Sequence, residues 1–112
     1  MKNYTKINLT SCLFLLGAAL AYAAPAADNW DNHCAKCHGA DGKGQTKVGK
    51  KLSVKDYTDA KVQAEMTDTD MAKAITDGAK DKNGKEKMKA FSGELSPAEV
   101  TDLVAYIRKF KS

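Results

Sequence analysis

The sequence predicts an all-α domain of about four short helices. Three observations carry this. Apolar residues recur at helical spacing, and no run alternates in the manner of a strand. A five-residue motif, Cys34-Ala35-Lys36-Cys37-His38, has the C-x-x-C-H form that attaches a c-type haem. The chain has 112 residues, of which about ninety remain after its leader, with few large apolar side chains. A core of that size is marginal alone, and a buried haem supplies the missing apolar bulk.

The motif has a chemical reason. Two thiols three residues apart can each add to one vinyl group of the haem, giving two thioether bonds. The histidine that follows is then held beneath the iron, where an imidazole nitrogen coordinates it. The sequence thus implies one covalent haem c per chain, bound through Cys34 and Cys37, with His38 as an axial iron ligand. Competing readings explain less. A thioredoxin-like redox site belongs near a βαβ pattern, which is missing here. A zinc site wants four ligands, and only Cys12 and His33 remain as candidates. A disulfide across two residues leaves His38 without a role.

Residues 1–23 read as a secretory signal peptide. Lys2 and Lys6 form the basic region, Leu13–Leu20 a short apolar core, and Ala21-Tyr22-Ala23 the small-residue cleavage signal. Cleavage is expected after Ala23, with Ala24 and Ala26 as the other sites. The apolar stretch is short for a membrane span and lacks a charged stop, so no stable membrane insertion is expected after its removal. Leu9-Thr10-Ser11-Cys12 has the look of a lipoprotein box, but its cysteine precedes the apolar core rather than following it. Residues 24–112 form the expected domain, and the exported address implies the periplasm. Loss of Lys2 and Lys6 lowers the formal net charge from +4 to +2. With two haem propionates the balance is near neutral, and no basic run with interleaved aromatics suggests nucleic acid.

The first helix should run from near Ala27 into the motif. Trp30 lies four residues before Cys34, on the same face, and is read as a packing aromatic. His33 is read as a surface or packing histidine, not a ligand. Gly39-Ala40-Asp41-Gly42-Lys43-Gly44-Gln45 is a turn-rich loop; its functional reading is close approach of backbone to the haem face. It lacks the strand and phosphate-binding frame of a nucleotide loop. Residues 46–58 read as an extended loop with Leu52, Val54 and Tyr57 pointing inward. Tyr57 is either a packed aromatic or a hydroxyl donor to a propionate.

A short helix is expected over Asp59–Met66. A second should run over Asp68–Asp77, with Met71, Ala74 and Ile75 on one face and Gly78 as its stop. Residues 79–87 read as a charged, glycine-punctuated loop. The last helix begins at Ser96-Pro97-Ala98-Glu99, a capping box with proline at the first helical position. Val100, Leu103, Val104 and Ile107 form its apolar face, with Tyr106 and Phe110 alongside.

His38 fills one axial position. Met66, Met71 and Met88 are the methionines of the domain. Met71 falls in a helical apolar stripe and Met66 at the end of a helix, both typical of core residues. Met88 lies between helices, 50 residues beyond His38, enough chain to cross the haem and return.

At these residues the chain resembles the class I monohaem cytochromes c, most closely the small bacterial c6- and c553-like members. The resemblance covers nearly all of residues 26–110. It rests on Cys34-Ala35-Lys36-Cys37-His38-Gly39, Asp41-Gly42-Lys43-Gly44-Gln45-Thr46, Met88-Lys89-Ala90-Phe91 and Leu103-Val104-Ala105-Tyr106-Ile107. It implies first and last helices that cross, Trp30 meeting Tyr106, and a small residue such as Ala26 at the contact. It also supports Met88 as the second axial ligand. Two departures stand out. Thr46-Lys47-Val48 has none of the proline that often follows the glycine loop, and Lys89 stands where proline often follows the ligand methionine, implying a softer methionine segment.

The function so implied is a periplasmic carrier of single electrons, not an enzyme, since His/Met ligation leaves no open iron position. The alternatives are a dedicated cytochrome subunit of one oxidoreductase, or an open-site haem protein that binds small ligands. Partners are redox proteins that dock transiently, and the protein is expected to be a monomer. Lysines 36, 43, 47, 50, 51, 85, 87 and 89 flank the haem-bearing segments and suggest a docking rim, against the plainer reading of a solvated surface.

Overall fold

The computed structural model describes residues 24–112; the leader expected over residues 1–23 lies outside the described residues. The elements run α1 (Ala26–His33), α2 (Ala35–His38), α3 (Lys47–Leu52), α4 (Ala60–Glu65), α5 (Asp68–Asp77), β1 (Ala79–Lys80), β2 (Glu86–Met88) and α6 (Pro97–Arg108). Among the described residues no helix is long and apolar enough to cross a membrane.

The first and last helices pack together, as expected. Trp30 of α1 is 1% exposed, with its ring centroid 5.8 Å from Tyr106 and 4.9 Å from Phe110. Ala26 is half-buried, and the buried pair on α1 is Asn29 and Trp30. Asn29 is a polar residue in that position because its amide donates to the Glu99 carboxylate at 2.8 Å, joining α1 to the first turn of α6. Glu99 in turn accepts from the Ser96 amide, while the Glu99 amide donates to the Ser96 hydroxyl. The capping box is complete, and it also serves the helix crossing.

The expected apolar face of α6 is the centre of the core. Val100, Leu103, Val104 and Ile107 are all buried, Leu103 completely. Met71 and Ile75 of α5 pack on the same cluster, together with Phe91 and Leu95. Helix α5 starts at a Thr67 side chain that accepts from the Asp70 amide and stops at Gly78, whose φ of 79° reverses the chain.

Three expectations need correction. The first helix stops short of the motif it was expected to run into: it ends at His33, Cys34 caps it, and a separate turn α2 carries Lys36, Cys37 and His38. Residues 46–58 are not all extended. Thr46 caps the short helix α3 by accepting from the Gly49 amide at 2.8 Å. Glycine inside a helix argues against one on propensity. Here it is required, because a Cβ on Gly49 would lie 2.3 Å from the Cys37 carbonyl oxygen. Lastly, the charged loop at 79–87 is bracketed by a two-stranded antiparallel ribbon pairing Ala79 with Met88 and Lys80 with Glu86. Met88 therefore sits on a paired strand end.

Leu103→Ala is expected to cost about 2–5 kcal/mol, because it empties a fully buried site between α1, α5 and α6. Ser96→Ala, which removes only the cap, is expected to cost about 1 kcal/mol. Thermal unfolding of the two variants side by side checks the order.

Candidate functional site

The Cys34–His38 turn is held through its carbonyl groups. The Trp30 indole donates to the Gly39 carbonyl at 2.9 Å, in a buried bond. The Thr46 hydroxyl donates to the Cys37 carbonyl at 2.7 Å, and the Gly44 amide donates to the His38 carbonyl at 2.8 Å. Three segments of chain thus fix a turn too short to be stable as an isolated helix.

This turn forms one wall of a cavity of about 590 Å³. Cys34, Cys37, His38, Tyr57, Met66 and Met88 all border it. A second, smaller cavity of about 110 Å³ extends inward between His38, Met88 and the core residues Leu103 and Ile107. The volume suits a cofactor site, typically about 300–1,000 Å³.

The chemistry of the wall matches a haem. Cys34 and Cys37 form no disulfide, which leaves both sulfurs for thioether bonds. Burial, with the Cys37 sulfur beside it, pushes the Cys34 thiol up to about 11. Among the described residues no cluster of three or more His, Cys, Asp or Glu could hold a metal ion by itself. Burial lowers the His38 pKa and so favours the neutral imidazole, the form that coordinates iron. The site fits a covalently attached haem.

The other candidates fall where the local structure sends them. Met88 and Met66 border both cavities, whereas Met71 is 5% exposed in the core and borders only the smaller one. The glycine loop does not border either cavity. Its close approach is to Phe110 instead: a Cβ on Gly42 would lie 2.8 Å from that ring. His33 packs edge-on to Phe91, with its Nδ1 3.5 Å from a Glu94 oxygen. Of the eight lysines proposed as a rim, Lys36, Lys87 and Lys89 border the large cavity, and Lys55 and Lys80 join them. Lys89 is paired with Glu94 at 2.7 Å.

Sequence reasoning missed the network behind Met66. Gln63, 3% exposed, donates through its amide to the carbonyls of Tyr57 and Ile107. Arg108 donates to the Gln63 carbonyl at 2.6 Å, to the Gln63 side-chain oxygen at 2.9 Å and to the Met66 carbonyl at 2.5 Å. A buried glutamine and one arginine therefore tie α6 to the chain on the cavity wall. No spacing in the sequence signals this, because the partners lie some 45 residues apart.

Comparison with known proteins agrees with this geometry. A family model described as cytochrome c matches residues 23–111. The chain belongs to the cytochrome c family. Cytochrome c6 from Anabaena variabilis is 37% identical over 75 residues, which are 67% of this chain and 76% of that protein. Among solved structures, the KustC0563 c-type cytochrome superposes with a TM-score of 0.69 at 33% identity, covering 78% of this chain and 98% of that one. A tyrosine-to-phenylalanine mutant of that cytochrome superposes with a TM-score of 0.67, also at 33% identity, covering 78% and 99%. This cytochrome c is an electron carrier with a covalently attached haem c, and it is not an enzyme.

Arg108→Met is expected to lower stability by about 2 kcal/mol, since it strips several carbonyls of a charged donor. Asp68→Ala should change stability by less than about 0.5 kcal/mol, because the Asp68 side chain is 73% exposed and its pair with Arg108 is solvated. Denaturant midpoints of the two holoproteins check the contrast.

Proposed function

We propose that residues 24–112 form a monomeric periplasmic cytochrome that carries one electron at a time between redox partners. Cys34 and Cys37 hold the haem by thioethers, and His38 and Met88 ligate the iron. The observation that carries this reading is that all four side chains border one cavity. The haem supplies a one-electron ferric/ferrous couple. His38 offers a neutral imidazole and Met88 a neutral thioether, both from elements pinned to the core. Ligands that bring no charge, in an apolar pocket, favour the ferrous state and raise the potential. Two side chains held on the iron leave no position for a substrate.

Residues 1–23 are proposed to direct export and to be cleaved, delivering the chain to a compartment where haem is attached to the two thiols. Lys36, Lys55, Lys80 and Lys87 around the cavity mouth are proposed to steer acidic partners toward it.

Met88→Ala is expected to abolish the sulfur-to-iron charge-transfer band of the ferric holoprotein and to let carbon monoxide bind the reduced form. Met66→Ala should leave both properties as they are. Carbon monoxide binding by the unaltered protein at neutral pH would overturn the His/Met assignment in favour of an open iron site.

Electron-transfer rates with an acidic partner should fall as salt is raised, because exposed charges are screened beyond about 10 Å at 0.1 M ionic strength. Rapid-mixing kinetics across a salt series measures this, and a flat series would refute the lysine rim.

A further inference from the structure

The chain that returns toward Met88 carries a charged tip. Between β1 and β2 runs Asp81-Lys82-Asn83-Gly84-Lys85, and every residue from Lys82 to Lys87 is exposed. A polar stretch of this kind is ordinarily a mobile loop. Here it is tied from within. The carboxylate of the half-buried Asp81 accepts from the amides of Asn83 at 2.8 Å and Lys85 at 2.9 Å. The Asp81 amide donates to the Lys85 carbonyl at 2.8 Å, and the Asp81 carbonyl accepts from the Gly84 amide at 3.0 Å. Gly84 takes the left-handed position of the turn, with φ of 81°. A Cβ there would meet no atom beyond its chain neighbours within 4 Å, so the tip stands clear of the rest of the domain.

Lysines flank this tip on both strands. Lys80 and Lys87 border the large cavity, whereas Lys82 and Lys85 lie beyond its lining. Among the described residues none of these lysines is in an ion pair. Asp81 spends its carboxylate on backbone amides and so neutralises none of them locally. A bilayer is a poor occupant, since Lys82 to Lys87 include no apolar side chain to insert. Cations held at fixed spacing on a short turn match carboxylates fixed on a folded protein.

We propose that the Asp81–Lys85 turn is a preformed docking element that seats on an acidic patch of a redox partner. Lys82 and Lys85 make the contacts, and Asp81 positions them. The ribbon pairs Ala79 with Met88, so a partner held at the tip lies beside the cavity mouth. Order before binding favours docking, because a loop that orders only on contact loses its conformational freedom at that moment. This rests on the protein exchanging electrons with outside partners, and the experiment separates the two ideas.

The test uses the haem-loaded protein and reduced flavodoxin, an acidic one-electron donor, in rapid mixing at low ionic strength. Failure to reduce the ferric haem would overturn the partner reading and the proposal with it. Given reduction, Lys82→Glu with Lys85→Glu should slow association about tenfold. The same double reversal at Lys50 and Lys51, exposed on α3 and outside the cavity lining, should slow it less. Equal losses would reduce the effect to net charge and overturn the tip. Asp81→Asn and Asp81→Ala change the charge alike, but only asparagine keeps an acceptor for the two amides. A merely charged surface would make both variants faster to the same degree. The preformed tip makes Asp81→Ala slower than Asp81→Asn, and equal rates would overturn the positioning role. Amide shifts induced by flavodoxin in the NMR spectrum should include residues 82–87; shifts that leave them out would overturn docking there. Unchanged flavodoxin rates in the Lys82 and Lys85 reversal, with loss of binding to phosphatidylglycerol vesicles, would also overturn it, in favour of a membrane.

Discussion

The structure depends on how the Cys34–His38 turn is gripped. Its thiols and imidazole must face one way, into the cavity, while its backbone is satisfied from the other. The Trp30 indole, the Thr46 hydroxyl and the Gly44 amide each take one carbonyl in or just beyond the turn. Gly49 allows α3 to press against the same backbone, where any Cβ would collide with the Cys37 carbonyl. A turn of four residues has almost no stability of its own. Its order is borrowed from α1, the glycine loop and α3 together.

The remaining elements close the cavity around that turn. The crossing of α1 with α6 makes the floor and places Leu103 and Ile107 under the inner cavity. Helix α5 and the ribbon carry the chain across to Met88, which pairs with Ala79 just past the Gly78 stop. Gln63 and Arg108 join α6 to the carbonyls of Tyr57 and Met66. These bonds lie in partly buried surroundings, where a lost partner costs more than it would at the surface. The exposed Lys89–Glu94 pair adds little beside them.

Much of the fold was legible because its signals are local. The Ser96 capping box, the α6 stripe from Val100 to Ile107, the Met71–Ile75 face and the Gly78 stop all lie within a few residues of what they control. Helix α3 was hidden because six residues with a central glycine read as loop by propensity. The ribbon was hidden because its strands of two and three residues are too short to alternate. Asn29, Gln63 and Arg108 carry no local signal, since their roles exist only once α6 is packed beside α1 and α4.

The sequence by itself determined the haem-attachment motif, two thiols and a histidine at fixed spacing, and helices whose apolar faces required a common filling. Those follow from covalent geometry and from side-chain periodicity, which need no partner. Only the tertiary structure decided which methionines reach the cavity wall, that the glycine loop serves Phe110 rather than the cavity, and that Trp30 and Tyr57 pack on His38. Each of these is a contact between segments distant in the chain. Such contacts are set by how whole elements fit, and no short stretch of residues encodes them.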